Sequence, residues 1–190
     1  MENAIFGKIV KTTRLTDGRE VILRYPTEED VEGMRNLINT LSTEDIYITF
    51  SGEQLTLEDE QAYFDQISKD VLSHNMIKLL ATHDGKIVGN ADVSRDRVGK
   101  RRTYHVASFG ITLAKEFRGA GLGQELIHTI IEEAKKEIPG LRIIKLAVYG
   151  ENLTAQTLYT KMGFKEFGRL KEGIWYRGRY IDEIEMYKEI

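Results

Sequence analysis

The sequence predicts an α/β fold built on a mixed central β-sheet flanked by helices, and three observations carry that expectation. Strand-length runs rich in β-favouring residues alternate with segments of helical periodicity in the order β-β-α-α-β-β-β-α-β-α-β-β. Asp17-Gly18 and Asp84-Gly85 each separate two β-like runs, which signals antiparallel hairpins. Gly119-Ala120-Gly121-Leu122-Gly123 stands between a strand-like run and a long amphipathic one, so a strand there turns directly into a helix. A length of 190 residues suits one domain, residues 1–190, with a sizeable core.

Taken in order, residues 8–14 and 20–25 are the two arms of the first hairpin. Thr27 then reads as a helix N-cap with Asp30 three residues on, and Val31, Met34, Leu37, Ile38 and Leu41 form an apolar stripe. Residues 42–55 are irregular and aromatic, with Tyr47 and Phe50 among them. A second helix starts near Thr56, again with an acid (Asp59) three residues later, and runs through Ala62, Phe64, Ile67 and Val71. Residues 76–82 and 86–94 form the second hairpin. Residues 96–102, flanked by Arg95 and containing Arg97, Lys100, Arg101 and Arg102, read as a solvated loop tip rather than a basic patch. Residues 106–113 form a strand, and Leu122, Leu126, Ile127, Ile130, Ile131, Ala134 and Ile138 recur at helical spacing after it. Another buried strand, 141–149, and a short helix follow. The tail reads as a hairpin of residues 164–170 and 179–186 joined by a loop, 171–178, that carries the only tryptophan, Trp175, beside Tyr176. That loop suggests a lid facing the substrate or a homodimer contact.

Composition excludes several function classes. With 27 basic against 30 acidic residues, the net charge of −3 gives no general attraction to nucleic acid or anionic membrane. No cysteine is present, so disulfides, thiolate zinc sites and a thiol nucleophile are ruled out. His74, His83, His105 and His128 lack metal-ligand spacing, so no metal is expected. The first residues lack a signal-peptide pattern and no apolar run reaches bilayer length, which leads to the expectation of a cytoplasmic protein.

The glycine-rich turn carries the chemistry. A turn feeding a helix leaves backbone N–H groups unpaired at the positive end of a helix dipole, a site for an anion and above all for phosphate. A nucleotide-hydrolase loop would need Lys-Ser or Lys-Thr after its second glycine, where this chain has Gln124-Glu125, and the spacing of a dinucleotide-binding turn is also wrong. Arg118-x-x-Gly121-x-Gly123 instead resembles the pyrophosphate-binding signature of the GNAT family of N-acetyltransferases. Downstream, Asn152, Ala155, Leu158-Tyr159 and Gly163-Phe164 resemble that family's later motif, in the right order and at a plausible separation. The resemblance covers the C-terminal half closely and the N-terminal half in layout.

This resemblance implies a GNAT-like acyl-CoA N-acyltransferase fold and transfer of an acetyl group from acetyl-CoA to a primary amine: a small amine, an amino acid, a polyamine or a protein N-terminus. A CoA-binding sensor or scaffold with the same fold is the alternative. It also implies pantetheine alongside Ile111, Thr112 and Leu113, pyrophosphate over Arg118, Gly119, Ala120, Gly121, Leu122, Gly123 and Gln124, and Asn152 on the pantetheine arm. The segment joining the first two helices is expected to wall the acceptor pocket. Amide formation from a thioester needs a neutral amine, a stabilised oxyanion and a proton for the departing sulfur. Tyr159 matches the family's general-acid tyrosine by motif position, and a phenol near pKa 10 is protonated at neutral pH. The base stays open. Ala107 stands where some relatives carry glutamate, His105 shares its strand face by two-residue alternation, and water relayed to an acid such as Glu44 is a further route.

Overall fold

The structure, a computed structural model, describes residues 5–44, 46–95 and 101–190. Strands β1 (Ile9–Arg14) and β2 (Glu20–Arg24) form the first hairpin, and α1 (Val31–Thr43) and α2 (Leu57–Leu72) follow. Next come β3 (Met76–His83), β4 (Lys86–Ser94), β5 (Val106–Leu113), α3 (Leu122–Glu137), β6 (Ile143–Tyr149), α4 (Leu153–Lys161), β7 (Lys165–Tyr176) and β8 (Arg179–Glu189). The element order is the one the sequence predicts.

All eight strands join one sheet in the order β1-β2-β3-β4-β5-β6-β8-β7, antiparallel except where β5 meets β6. Helix α3 packs on one face of β3 and β4, and α1 and α2 pack on the other. This explains why Met76 through Thr82 are buried without alternation: both faces of β3 are covered.

Thr56 caps α2 as expected, its hydroxyl accepting from the Asp59 N–H while the Asp59 carboxylate receives the Thr56 N–H. The buried stripe of α2 differs from the expected one. Ala62 is exposed, and the inward positions are Glu60, Phe64, Ile67 and Val71, one face at helical spacing with a carboxylate at its head.

The tail also departs from expectation. Residues 171–178 are not a loop: β7 runs on through Trp175 and Tyr176, and only Arg177-Gly178 turns. A bulge between Leu170 and Ile174, with Glu172 at φ 54°, absorbs the glycine-containing stretch that reads as loop in the sequence. Trp175 is exposed against Tyr180, whereas Tyr176 is buried against Tyr47. Arg95 is anchored by the backbone oxygens of Tyr104 and Pro139 and by Asn75, and residues 96–100 of the charged connection lie outside the described residues.

Candidate active site

The site begins with a divergence of two strands. Pairing between β5 and β6 covers only Val106↔Ile143, Ala107↔Ile144 and Ser108↔Lys145. On its other side β5 stays paired to β4 as far as Gly89↔Leu113, and β6 stays paired to β8 as far as Tyr149↔Glu183. The second half of β5 therefore has one free side. Ala114 N–H donates to Val88 on β4, so by two-residue alternation Phe109, Ile111 and Leu113 turn their backbone groups toward the gap. The backbone of Ile111 lies beyond the last pair with β6, and Phe109 and Ile111 line a cavity of about 650 Å³ that opens there.

Gly119 and Gly121 make the turn after β5 at φ 77° and 91°, a left-handed backbone that glycine adopts without strain. Gly121 is the N-cap of α3, so the first-turn N–H groups of Leu122, Gly123 and Gln124 have no partner inside the helix. Ala120 is buried and its carbonyl accepts from Thr16 N–H at 3.1 Å, which ties the turn to the first hairpin. Gly123 has a packing reason of its own: a Cβ there would stand 3.0 Å from Leu158 Cδ2, so its absence lets α4 approach α3. Arg118 donates to the Leu113 carbonyl and to Glu44, and the Gln124 side chain accepts from Lys161. Positive helix end, free N–H groups and an open turn fit a pyrophosphate, and the free side of β5 fits an extended amide chain such as pantetheine.

Helix α4 closes the other side. Asn152 Oδ1 caps it by accepting from Ala155 N–H at 3.1 Å, and Asn152 is among the residues that line the cavity. Gln156 fastens the helix to the end of β6 through the carbonyls of Tyr149 and Gly150. Tyr159 lines the cavity with its ring edge-on to Phe109 and Phe164, and its hydroxyl has no hydrogen bond to a described residue. Burial pushes its pKa up to about 12, so the phenol holds its proton throughout the physiological range.

His105 sits apart. Strand β5 begins at Val106, so His105 lies in the preceding turn and shares no strand face with Ala107. Its carbonyl holds Arg142 and Ile143 at the paired end of β5 and β6, and it is not among the residues that line the cavity. Ala107 is fully buried in the core.

The α1–α2 connection supplies another wall of the cavity. Asn39 clamps Leu55 with two hydrogen bonds of 2.8 and 2.9 Å, and Ser42 receives Gly52 N–H. Tyr149 donates to the Ile48 carbonyl at 2.8 Å, so the connection bridges from α1 to β6 across the gap. Tyr47 and Phe50 line the cavity, and Tyr47 packs against Tyr149 and Tyr176.

Sequence reasoning missed a polar network on this wall. Lys78, buried on β3, donates to Asn90 at 2.9 Å and lies 3.3 Å from Asp92, with the Tyr63 hydroxyl at 3.4 Å. Burial works against the Lys78 charge, but Asp92 and Tyr63 outweigh it and its pKa lies above the ordinary value. Asn90 continues the network to Thr112 at 2.9 Å, and Asp92 stands beside Gly110. The signal was available: Lys78 is the one charged residue within an otherwise apolar strand run, and Asn90 and Asp92 alternate on one face of the next strand.

Similar proteins agree with this geometry. Residues 40–164 match the family described as Acetyltransferase (GNAT) family. The L-amino acid N-acetyltransferase AaaT of Escherichia coli is 31% identical over 109 residues, 57% of this chain and 65% of that protein. The crystal structure of an acetyltransferase of the GNAT family from Streptococcus pneumoniae superposes with a TM-score of 0.80 at 29% identity, covering 90% of this chain and 99% of that one. A phosphinothricin acetyltransferase from Sinorhizobium meliloti, solved in complex with AcCoA, shares the fold at a TM-score of 0.77 and 19% identity over 90% of this chain and 88% of its own. Both the motif-bearing half and the mixed sheet are accounted for, and the chain belongs to the GNAT acetyltransferase family.

Proposed function

We propose that the protein moves an acetyl group from acetyl-CoA directly to a primary amine while both are bound. The observation that carries the reading is the meeting of three features at one gap: the free side of β5, the glycine turn at its end, and the Tyr159 hydroxyl with no partner among the described residues. Acetyl-CoA supplies the acetyl thioester. In this reading the N–H groups of Leu122 to Gln124 bind its pyrophosphate, the backbone of Ile111 and Leu113 aligns its extended arm, and the Asn152 amide steadies that arm from α4.

An acceptor amine arrives as an ammonium ion and must lose a proton before its nitrogen attacks. We assign that first proton to Asp92, which stands beside Gly110 on the exposed stretch. The nitrogen–carbon bond then forms and the carbon–sulfur bond breaks. Tyr159 protonates the departing sulfur and recovers its own proton from the amine nitrogen. Of the two protons the ammonium loses, one ends on sulfur and one in solvent. Burial pushes the Tyr159 pKa up to about 12, so the phenol keeps its proton until the sulfur departs.

Thiol release measured with acetyl-CoA and a panel of primary amines tests the reading. Turnover with at least one amine is expected. Binding of CoA with no thiol release from any of them leaves a CoA-binding module without activity.

A further inference from the structure

Resting on that reading, we propose that the acceptor is a linear diamine or longer polyamine, whose second ammonium group is held by Glu60. Glu60 heads the inward stripe of α2, is only 3% exposed, and lines the cavity. No hydrogen bond or ion pair to a described residue reaches its carboxyl. The side chain is buried while its carboxyl opens to the cavity, so an ammonium brought there by the ligand offsets the partial loss of hydration. Burial raises the Glu60 pKa against the weaker pull of Lys78, and an ammonium placed beside it restores the charged form.

The rest of the lining selects the same class. Asp59, Glu60, Asp92 and Glu183 stand against the single cation Lys78 among the described lining residues. Asp59 is occupied in capping α2, and Asp92 is paired to Lys78. That leaves Glu60 on the β3 side of the gap and Glu183 on the β8 side, so free carboxylates flank the strand where the reacting nitrogen must sit. An amino acid acceptor would bring a carboxylate into this cavity. Lys78 is already satisfied by Asp92 and Asn90, and Arg118, held by Glu44 and Leu113, does not line the cavity. A carboxylate would meet like charge, whereas a cation at each end of an aliphatic chain meets unlike charge.

Paired kinetics decide it. Putrescine and n-butylamine have the same chain and differ in the second ammonium, and L-alanine adds a carboxylate. For the wild-type chain, kcat/KM for putrescine should exceed that for n-butylamine by about tenfold or more, the scale of a hydrogen bond to a charged group, with L-alanine poorest. Glu60→Gln keeps the shape and removes the charge, so the putrescine-to-butylamine ratio should fall toward one. Equal wild-type turnover of the two amines, or a preference for L-alanine, overturns the diamine assignment and leaves acetyl transfer standing. A ratio unchanged in Glu60→Gln overturns the role of Glu60. If that variant does not fold, the wild-type ratio alone decides for or against the diamine. Intact CoA binding with no thiol release from any of the three overturns the diamine assignment, and acetyl transfer itself falls only if the wider panel of primary amines also releases none.

Discussion

The Arg118 guanidinium lies 2.8 Å from the Glu44 carboxylate, joining the turn after β5 to the start of the α1–α2 connection. Neither group is fully buried, and the pair stands where the glycine turn meets the α1–α2 connection. Glu44 pairs with this cation and, unlike Asp92, is not among the described residues that line the cavity, so it is not placed to relay a proton there. An exposed pair of this kind contributes up to about 1 kcal/mol. Glu44→Gln should release Arg118 and raise CoA affinity no more than about fivefold, with kcat little changed, measured by calorimetry and steady-state rates. A hundredfold fall in kcat would instead make Glu44 the base.

Gly121 tests the anion site. At φ 91° it occupies a backbone region that a β-branched residue enters only with strain, on the order of 1–3 kcal/mol. Gly121→Val should therefore lower the melting temperature and also abolish CoA binding. A variant that melts lower but binds CoA with unchanged affinity would move the pyrophosphate elsewhere.

Much of this site is legible in the sequence and part of it is not. The glycine turn, Asn152 and Tyr159 are readable because their spacing is local: each lies within one strand-turn-helix unit. The aromatic α1–α2 connection is readable as a wall only through the family's layout. Glu60 escapes a stripe that starts at Ala62, although counting back from Phe64, Ile67 and Val71 reaches it. Trp175 and Tyr176 read as loop because glycine and charge dominate residues 171–173, and pairing to Tyr180 and Arg179 keeps that stretch in the sheet. His105 fails for want of one residue: alternation applies only inside a strand, and β5 starts after it.

Glu60 has a consequence for stability as well as binding. Its carboxyl titrates above the ordinary value of 4.5 in the folded chain because burial disfavours the charge. A raised folded pKa gives stability that is complete below the unfolded value and is lost as pH rises past it. Glu60→Gln should thus melt higher than the wild type at pH 7, with the difference closing below about pH 4.5. A variant that melts lower at neutral pH would mean that the carboxylate has a stabilising partner.

For Tyr159, removal of the hydroxyl separates catalysis from packing. Tyr159→Phe should lower kcat on the order of a hundredfold or more and change CoA affinity far less. Because the pKa is pushed up to about 12, the wild-type kcat should show no loss at pH 10 from deprotonation of this phenol. A kcat preserved in the variant, with stability lower by about 1 kcal/mol, would make the hydroxyl structural.

The most direct measurement of the central claim is a melting curve with and without acetyl-CoA. If the thioester donor lies in the gap between β5 and β6 with its pyrophosphate on α3, a hundredfold excess over its dissociation constant stabilises the fold by about 2.7 kcal/mol. For a chain of 190 residues that corresponds to a rise of roughly 5–10 °C. An identical melting temperature at millimolar acetyl-CoA would contradict the account.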